Sequence, residues 1–85
     1  MMKQMTLSAL EEIMHTCAGD DESTDSVQQA PERAFADLGY DSLALLETQS
    51  VIRREYGVDL SEQALSEAET PQQLVDLVNR CLSAA

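Results

Sequence analysis

Three glycines and two prolines in 85 residues, with little alternation of β-branched side chains, leave this chain poorly supplied for a sheet. Every segment with a hydrophobic period is therefore expected to be helical. The two cysteines, Cys17 and Cys81, lie far apart and show no CxxC spacing or Cys/His clustering. Neither a disulfide framework nor a zinc site is indicated. Both fall on apolar helix faces, as reduced core thiols would. No apolar run approaches the length of a membrane span, and the start "MMKQMTLSAL" lacks the long apolar stretch of a secretory leader. The expectation is a cytoplasmic protein that contacts no membrane. Basic residues are scarce too, five against sixteen acids, for a formal charge of -11. Nucleic acid and anionic surfaces are thus disfavoured as partners, and basic protein surfaces are favoured.

A chain of this length makes one domain, residues 1–85, with a modest core and no room for a large internal active-site cavity. Its acid is unevenly placed. Residues 19–41 carry a net charge of -6, whereas residues 1–18 and 42–60 carry -1 each. Leu7, Leu10, Ile13, Met14 and Cys17 recur at steps of three and four, with Ser8 and Glu11 available as a capping box and Gly19 as the stop. From Gly19 to Asp41 no period holds; Val27, Phe35 and Leu38 are the apolar anchors of a long acidic loop of the kind that wraps a bundle or carries function. A second helix is expected from Ser42 to Tyr56, with Asp41 as N-cap and Gly57 as C-terminal stop. A short, weak helix follows near Ser61 to Ala68. Thr70, Pro71 and Gln73 then supply a cap, a first-turn proline and a capping-box residue for a last helix with the stripe Leu74, Leu77, Val78, Cys81 and Leu82. Three good helices and one poor one make a small all-α, four-helix bundle.

With Leu45 set at zero and about 100° added per residue, Thr48, Ile52 and Tyr56 fall within roughly 60° of it and face the core. Leu43 points the other way, with Glu47, Ser50 and Arg54, and Leu46 sits on the flank. One exposed leucine is ordinary in a soluble protein. Leu43 and Leu46, ringed by Glu47 and Arg54, have the makings of a docking surface for other proteins.

Ser42 stands in the first turn, where serine is common for capping reasons. As a nucleophile it lacks support: the only histidine is His15, the only lysine is Lys3, and there is no G-x-S-x-G elbow. No catalytic residue is assigned. Asp21, Ser23, Asp25 and Glu32 imitate a calcium-loop spacing, but Ser26 stands where that loop needs Gly, and Pro31 intrudes. No metal site is assigned either.

The stretch "FADLGYDSLALLE", Phe35 to Glu47, resembles the modification site of acyl carrier proteins, in which an Asp-Ser-Leu triplet opens the second helix of a four-helix bundle. The helix spacing fits the same family along nearly the whole chain. "GYDSL" and "LALLET" are more similar to the discrete carriers of bacterial type II aromatic polyketide synthases than to fatty-acid carriers, which keep an acid where this chain has Ala44. Arg53 and Arg54 also depart from the uniformly acidic helix of the latter.

The resemblance implies a carrier and not an enzyme. It makes Ser42 the attachment point of 4'-phosphopantetheine, transferred from coenzyme A by a Mg-dependent phosphopantetheinyl transferase, and so a phosphoprotein. Asp41, Leu43, Leu46 and Glu47 become partner contacts. The cargo is malonyl units and growing poly-β-keto chains held as thioesters in antibiotic biosynthesis. The implied partners are a malonyl transferase, a ketosynthase with its chain length factor, and ketoreductase, aromatase and cyclase; the carrier itself is expected to be a monomer. A cleft lined by Leu45, Leu46, Ala64, Leu65 and Leu74 is the expected shelter for the acyl chain. Alternatives are a fatty-acid or aminoacyl carrier and, further off, an unmodified acidic helical interaction module.

Overall fold

The structure, a computed structural model, describes residues 4–18 and 27–84. Four helices follow one another: α1 (Leu7–Ala18), α2 (Ser42–Tyr56), α3 (Glu62–Glu67) and α4 (Pro71–Ala84), and there is no strand among the described residues. The expected bundle is thus what forms. α1 packs against both α2 and α4.

The helix ends explain why these segments are helical. α2 is capped by Asp41, whose carboxylate accepts from the Ala44 N–H at 2.9 Å. It closes at Gly57, whose φ of 70° is left-handed and whose N–H returns to the Arg53 carbonyl. A side chain at Gly57 would be strained for that conformation alone. Ser61 caps α3 through the Ala64 N–H at 3.1 Å. At α4 the Thr70 hydroxyl accepts from the Gln73 N–H at 3.2 Å, and the Gln73 side chain accepts from the Glu69 N–H at 2.9 Å, one residue earlier than a standard capping box.

α1 departs from expectation. The Ala9 N–H in its first turn donates to the Thr6 hydroxyl at 3.1 Å, so Thr6 is the cap and Ser8 lies inside the helix. Glu11, expected in a capping box, instead accepts from the Gln28 side chain and ties the loop to α1. Gly19, Asp21, Ser23, Asp25 and Ser26, and so the stop and the calcium-like loop, lie outside the described residues.

The core gathers Leu10 and Met14 of α1, Ile52 of α2, and Leu74 and Val78 of α4, all at 0% exposure. The long loop contributes as much as a helix does: Val27, Phe35 and Leu38 are buried, and so is Tyr40, which sequence reasoning passed over. Phe35 meets Tyr40 edge-to-face with ring centroids 6.4 Å apart. Met5, Val58, Leu60 and Val75 are further core residues outside the expected stripes. Of the expected α4 stripe, Leu77, Cys81 and Leu82 are only partly buried. Cys81 is a free thiol there. Tyr56 is half-buried; burial first, then the carboxylates of Glu55 and Glu12, push its phenol above the ordinary range.

One side chain joins the two ends of the described chain. Asn79 accepts from the Met5 N–H at 2.8 Å and donates to the Met5 carbonyl at 3.0 Å. This clasp holds buried Met5 on α4. Asn79→Ala removes both bonds and leaves two backbone groups unpaired, so thermal melting is expected to show a loss of about 1–3 kcal/mol. An unchanged midpoint would mean that water satisfies Met5 equally well.

Candidate functional site

The geometry around Ser42 is built by the loop that precedes it. The Phe35 N–H donates to the Glu69 carbonyl at 2.9 Å, and the Gln72 N–H donates to the Pro31 carbonyl at 2.8 Å. These two bonds pin the loop to the corner between α3 and α4. The chain then turns at Gly39, where φ is 94°, a conformation that L side chains rarely adopt. The Tyr40 N–H folds back on the Phe35 carbonyl at 3.0 Å. Tyr40 is thereby buried while Asp41 and Ser42 stay exposed.

Asp41 has an extended backbone, with φ of -96° and ψ of 177°, and takes the Ala44 N–H on its side chain. Its carbonyl accepts from the Leu45 N–H at 3.2 Å. The N–H groups of Ser42 and Leu43 have no partner within the helix, as at any helix start, and the positive end of the helix dipole lies beside the Ser42 hydroxyl. That arrangement suits an anionic group esterified to Ser42. It is poorly suited to making Ser42 a nucleophile, because the one histidine stands on α1 and α2 contains neither His nor Lys.

α2 is rotated differently from the expected wheel. Ala44, Thr48 and Ile52 are its buried residues, while Leu45 and Tyr56 are half-buried. Leu45 is therefore not the centre of the core stripe; it walls a groove toward α3. Thr48 tolerates complete burial because its hydroxyl donates to the Ala44 carbonyl at 2.8 Å. The opposite face matches expectation: Leu43 is 63% exposed and Leu46 42% exposed, with Glu47, Ser50, Arg53 and Arg54 exposed around and beyond them.

The groove has a volume of about 360 Å³ and is lined by Ser42, Leu45, Leu46, Glu62, Leu65 and Ser66. It runs between α2 and α3 and reaches Ser42 itself. Of the five residues expected to line an acyl shelter, Leu45, Leu46 and Leu65 meet here. Leu74 does not, since it is fully buried in the core, and Ala64 faces a different hollow between α3 and α4. The rotation of α3 has no signature in the sequence, because a helix of six residues has too few turns to define a face. Glu62 and Ser66 were missed for the same reason.

No group of three or more His, Cys, Asp or Glu residues is placed to hold a metal among the described residues. No helix among them is long and apolar enough to cross a membrane.

Residues 8–78 match the family model described as phosphopantetheine attachment site. The chain is 44% identical over 84 residues to the oxytetracycline polyketide synthase acyl carrier protein of Streptomyces rimosus, covering 99% of this chain and 88% of that one. It is 45% identical over 78 residues to the granaticin polyketide synthase acyl carrier protein of Streptomyces violaceoruber, covering 92% of each. The solution structure of octanoyl acyl carrier protein from the actinorhodin polyketide synthase of Streptomyces coelicolor superposes with a TM-score of 0.90 at 34% identity, over 100% of this chain and 99% of that one. The chain belongs to the phosphopantetheine-bearing acyl carrier proteins, in their type II polyketide synthase branch. It is a carrier and not a catalyst, its cofactor is covalent 4'-phosphopantetheine, and it works with a phosphopantetheinyl transferase and with synthase enzymes.

Asp41→Ala removes the cap of α2 and is expected to lower stability by about 1 kcal/mol, whereas Asp41→Asn, which keeps an acceptor, stays close to wild type. Circular-dichroism melting of the two variants checks this. Equal loss in both would assign the effect to charge and not to the cap.

Proposed function

We propose that Ser42 is the attachment point of 4'-phosphopantetheine, and that the chain carries malonyl units and growing poly-β-keto chains for a bacterial aromatic polyketide synthase. The observation that supports this most is the exposed Ser42 at the start of α2, beside a groove that Leu46 helps to line and next to the outward Leu43. The prosthetic group supplies a thiol on a flexible arm, to which acyl groups are joined as thioesters for visiting enzymes.

Ser42 contributes the oxygen of the phosphodiester, and the N–H groups of Ser42 and Leu43 face that charge. Asp41 fixes the helix start and offers a contact to the transferase. Leu43, Leu46 and Glu47 form the surface that partners read: two leucines for apolar contact and a carboxylate for a basic rim. A formal charge of -11 suits fast, weak, salt-sensitive encounters with basic patches. The partners in this reading are a malonyl transferase, the ketosynthase with its chain length factor, and ketoreductase, aromatase and cyclase, each visited by a monomeric carrier.

Transfer of labelled malonyl from malonyl coenzyme A to the pantetheinylated protein tests the role. Ser42→Ala is expected to abolish it with melting unchanged. Leu43→Arg and Glu47→Lys are expected to slow it while altering stability by no more than about 0.5 kcal/mol, as exposed substitutions do. Unchanged transfer in both surface variants would remove this face of α2 from the docking surface. Aminoacyl transfer in place of malonyl transfer would move the chain to the peptide-synthesis carriers.

A further inference from the structure

The groove that reaches Ser42 has an uneven lining. Leu45, Leu46 and Leu65 form its apolar surface, and Glu62 and Ser66 stand on its α3 side. Leu45, Leu65 and Ser66 also wall an adjoining hollow of about 270 Å³, whose other lining includes Ala34, Phe35, Ala68 and Glu69. Among the described residues, no basic side chain lines either space. The Ser66 hydroxyl proton is already engaged, donating to the Gln63 carbonyl at 2.8 Å. With Ser42 esterified, the described side chains of the lining offer carboxylates, lone pairs and hydrocarbon, but no free hydrogen-bond donor.

We propose that Glu62 makes this groove selective by charge, admitting neutral 3-oxoacyl ends and holding out the free carboxylate of a malonyl end. The proposal rests on Ser42 as the attachment point. A carboxylate that enters loses water, meets Glu62 and finds neither a cation nor a side-chain donor in exchange, the Ser42 and Leu43 N–H groups being turned to the phosphodiester, which makes the transfer unfavourable. A 3-oxoacyl end carries no charge, leaves little water behind and gains contact with Leu45 and Leu65. The volume lies at the small end of ligand pockets, so it accommodates a short end with part of the arm and not a full-length chain. A malonyl unit is thereby kept outside, where a synthase can take it, while a reactive short 3-oxoacyl end is covered between visits.

The test uses apo protein loaded at Ser42 by a phosphopantetheinyl transferase from malonyl or acetoacetyl coenzyme A, each checked by intact mass. Amide nitrogen–proton NMR spectra of these forms at neutral pH are compared with the form bearing the bare arm. Acetoacetyl is expected to shift the amides of Leu45, Leu46, Leu65 and Ser66, and malonyl to leave them in place. In Glu62→Gln the malonyl form is expected to acquire those shifts, and in Glu62→Lys to acquire them more strongly. Glu67→Gln, on the same helix but lining the hollow toward α4, is expected to behave as wild type. Equal shifts from malonyl and acetoacetyl in the wild type overturn the proposal. So does a malonyl form of both folded Glu62 variants that stays at the bare-arm positions. Absence of acetoacetyl shifts in a fully loaded protein overturns occupancy of the groove, whereas failure of Ser42 to load counts against the attachment reading itself.

Discussion

Asp41 holds the start of α2 where the loop delivers it, and much else follows from that one cap. Its carboxylate takes the Ala44 N–H, so the helix begins at Ser42. From there the period of the helix sends Ala44, Thr48 and Ile52 inward and Leu43, Glu47 and Arg54 outward. A start one residue later would place Ser42 outside the helix and away from its dipole. The cap in turn depends on the loop, whose bonds from Phe35 to Glu69 and from Gln72 to Pro31 fix the approach, and on the left-handed turn at Gly39.

This economy fits a carrier. A bundle of this size cannot enclose a site that excludes water and aligns several catalytic groups. It can hold one hydroxyl in the open, keep a helix face free for partners and provide a shallow groove alongside. Residues 19–41, which precede Ser42 in the sequence, carry a net charge of -6, a balance that favours basic partners over acidic ones. Arg53 and Arg54, in the last turn of α2, complement the negative end of its dipole.

The bounds of α2, the presence of all four helices and the outward direction of Leu43 were legible in the sequence, because caps and a 3.6-residue period act locally. Three things were not. The rotation of α2 toward Thr48 depends on Leu45 being drawn to the α3 groove, and a threonine satisfied by its own helix reads as polar in a hydrophobicity pattern. The cap of α1 moved to Thr6 because Ser8 and Glu11 form an equally good motif on paper, while Glu11 found Gln28 across the loop. The groove was only partly foreseen, since α3 is too short to show a face and the anchoring of Tyr40 has no periodic signature. The Asp-Ser-Leu triplet was legible for a different reason: it is a recognition feature as well as a structural one, and it stands at a helix start that local chemistry dictates.

Intact-mass measurement after incubation with coenzyme A, Mg and a broad-specificity phosphopantetheinyl transferase tests the central claim most directly, with Ser42→Ala alongside. The account predicts a gain of one phosphopantetheine in the wild type and none in the variant. A folded wild type that gains nothing, or a Ser42→Ala protein that still gains the group, would contradict it.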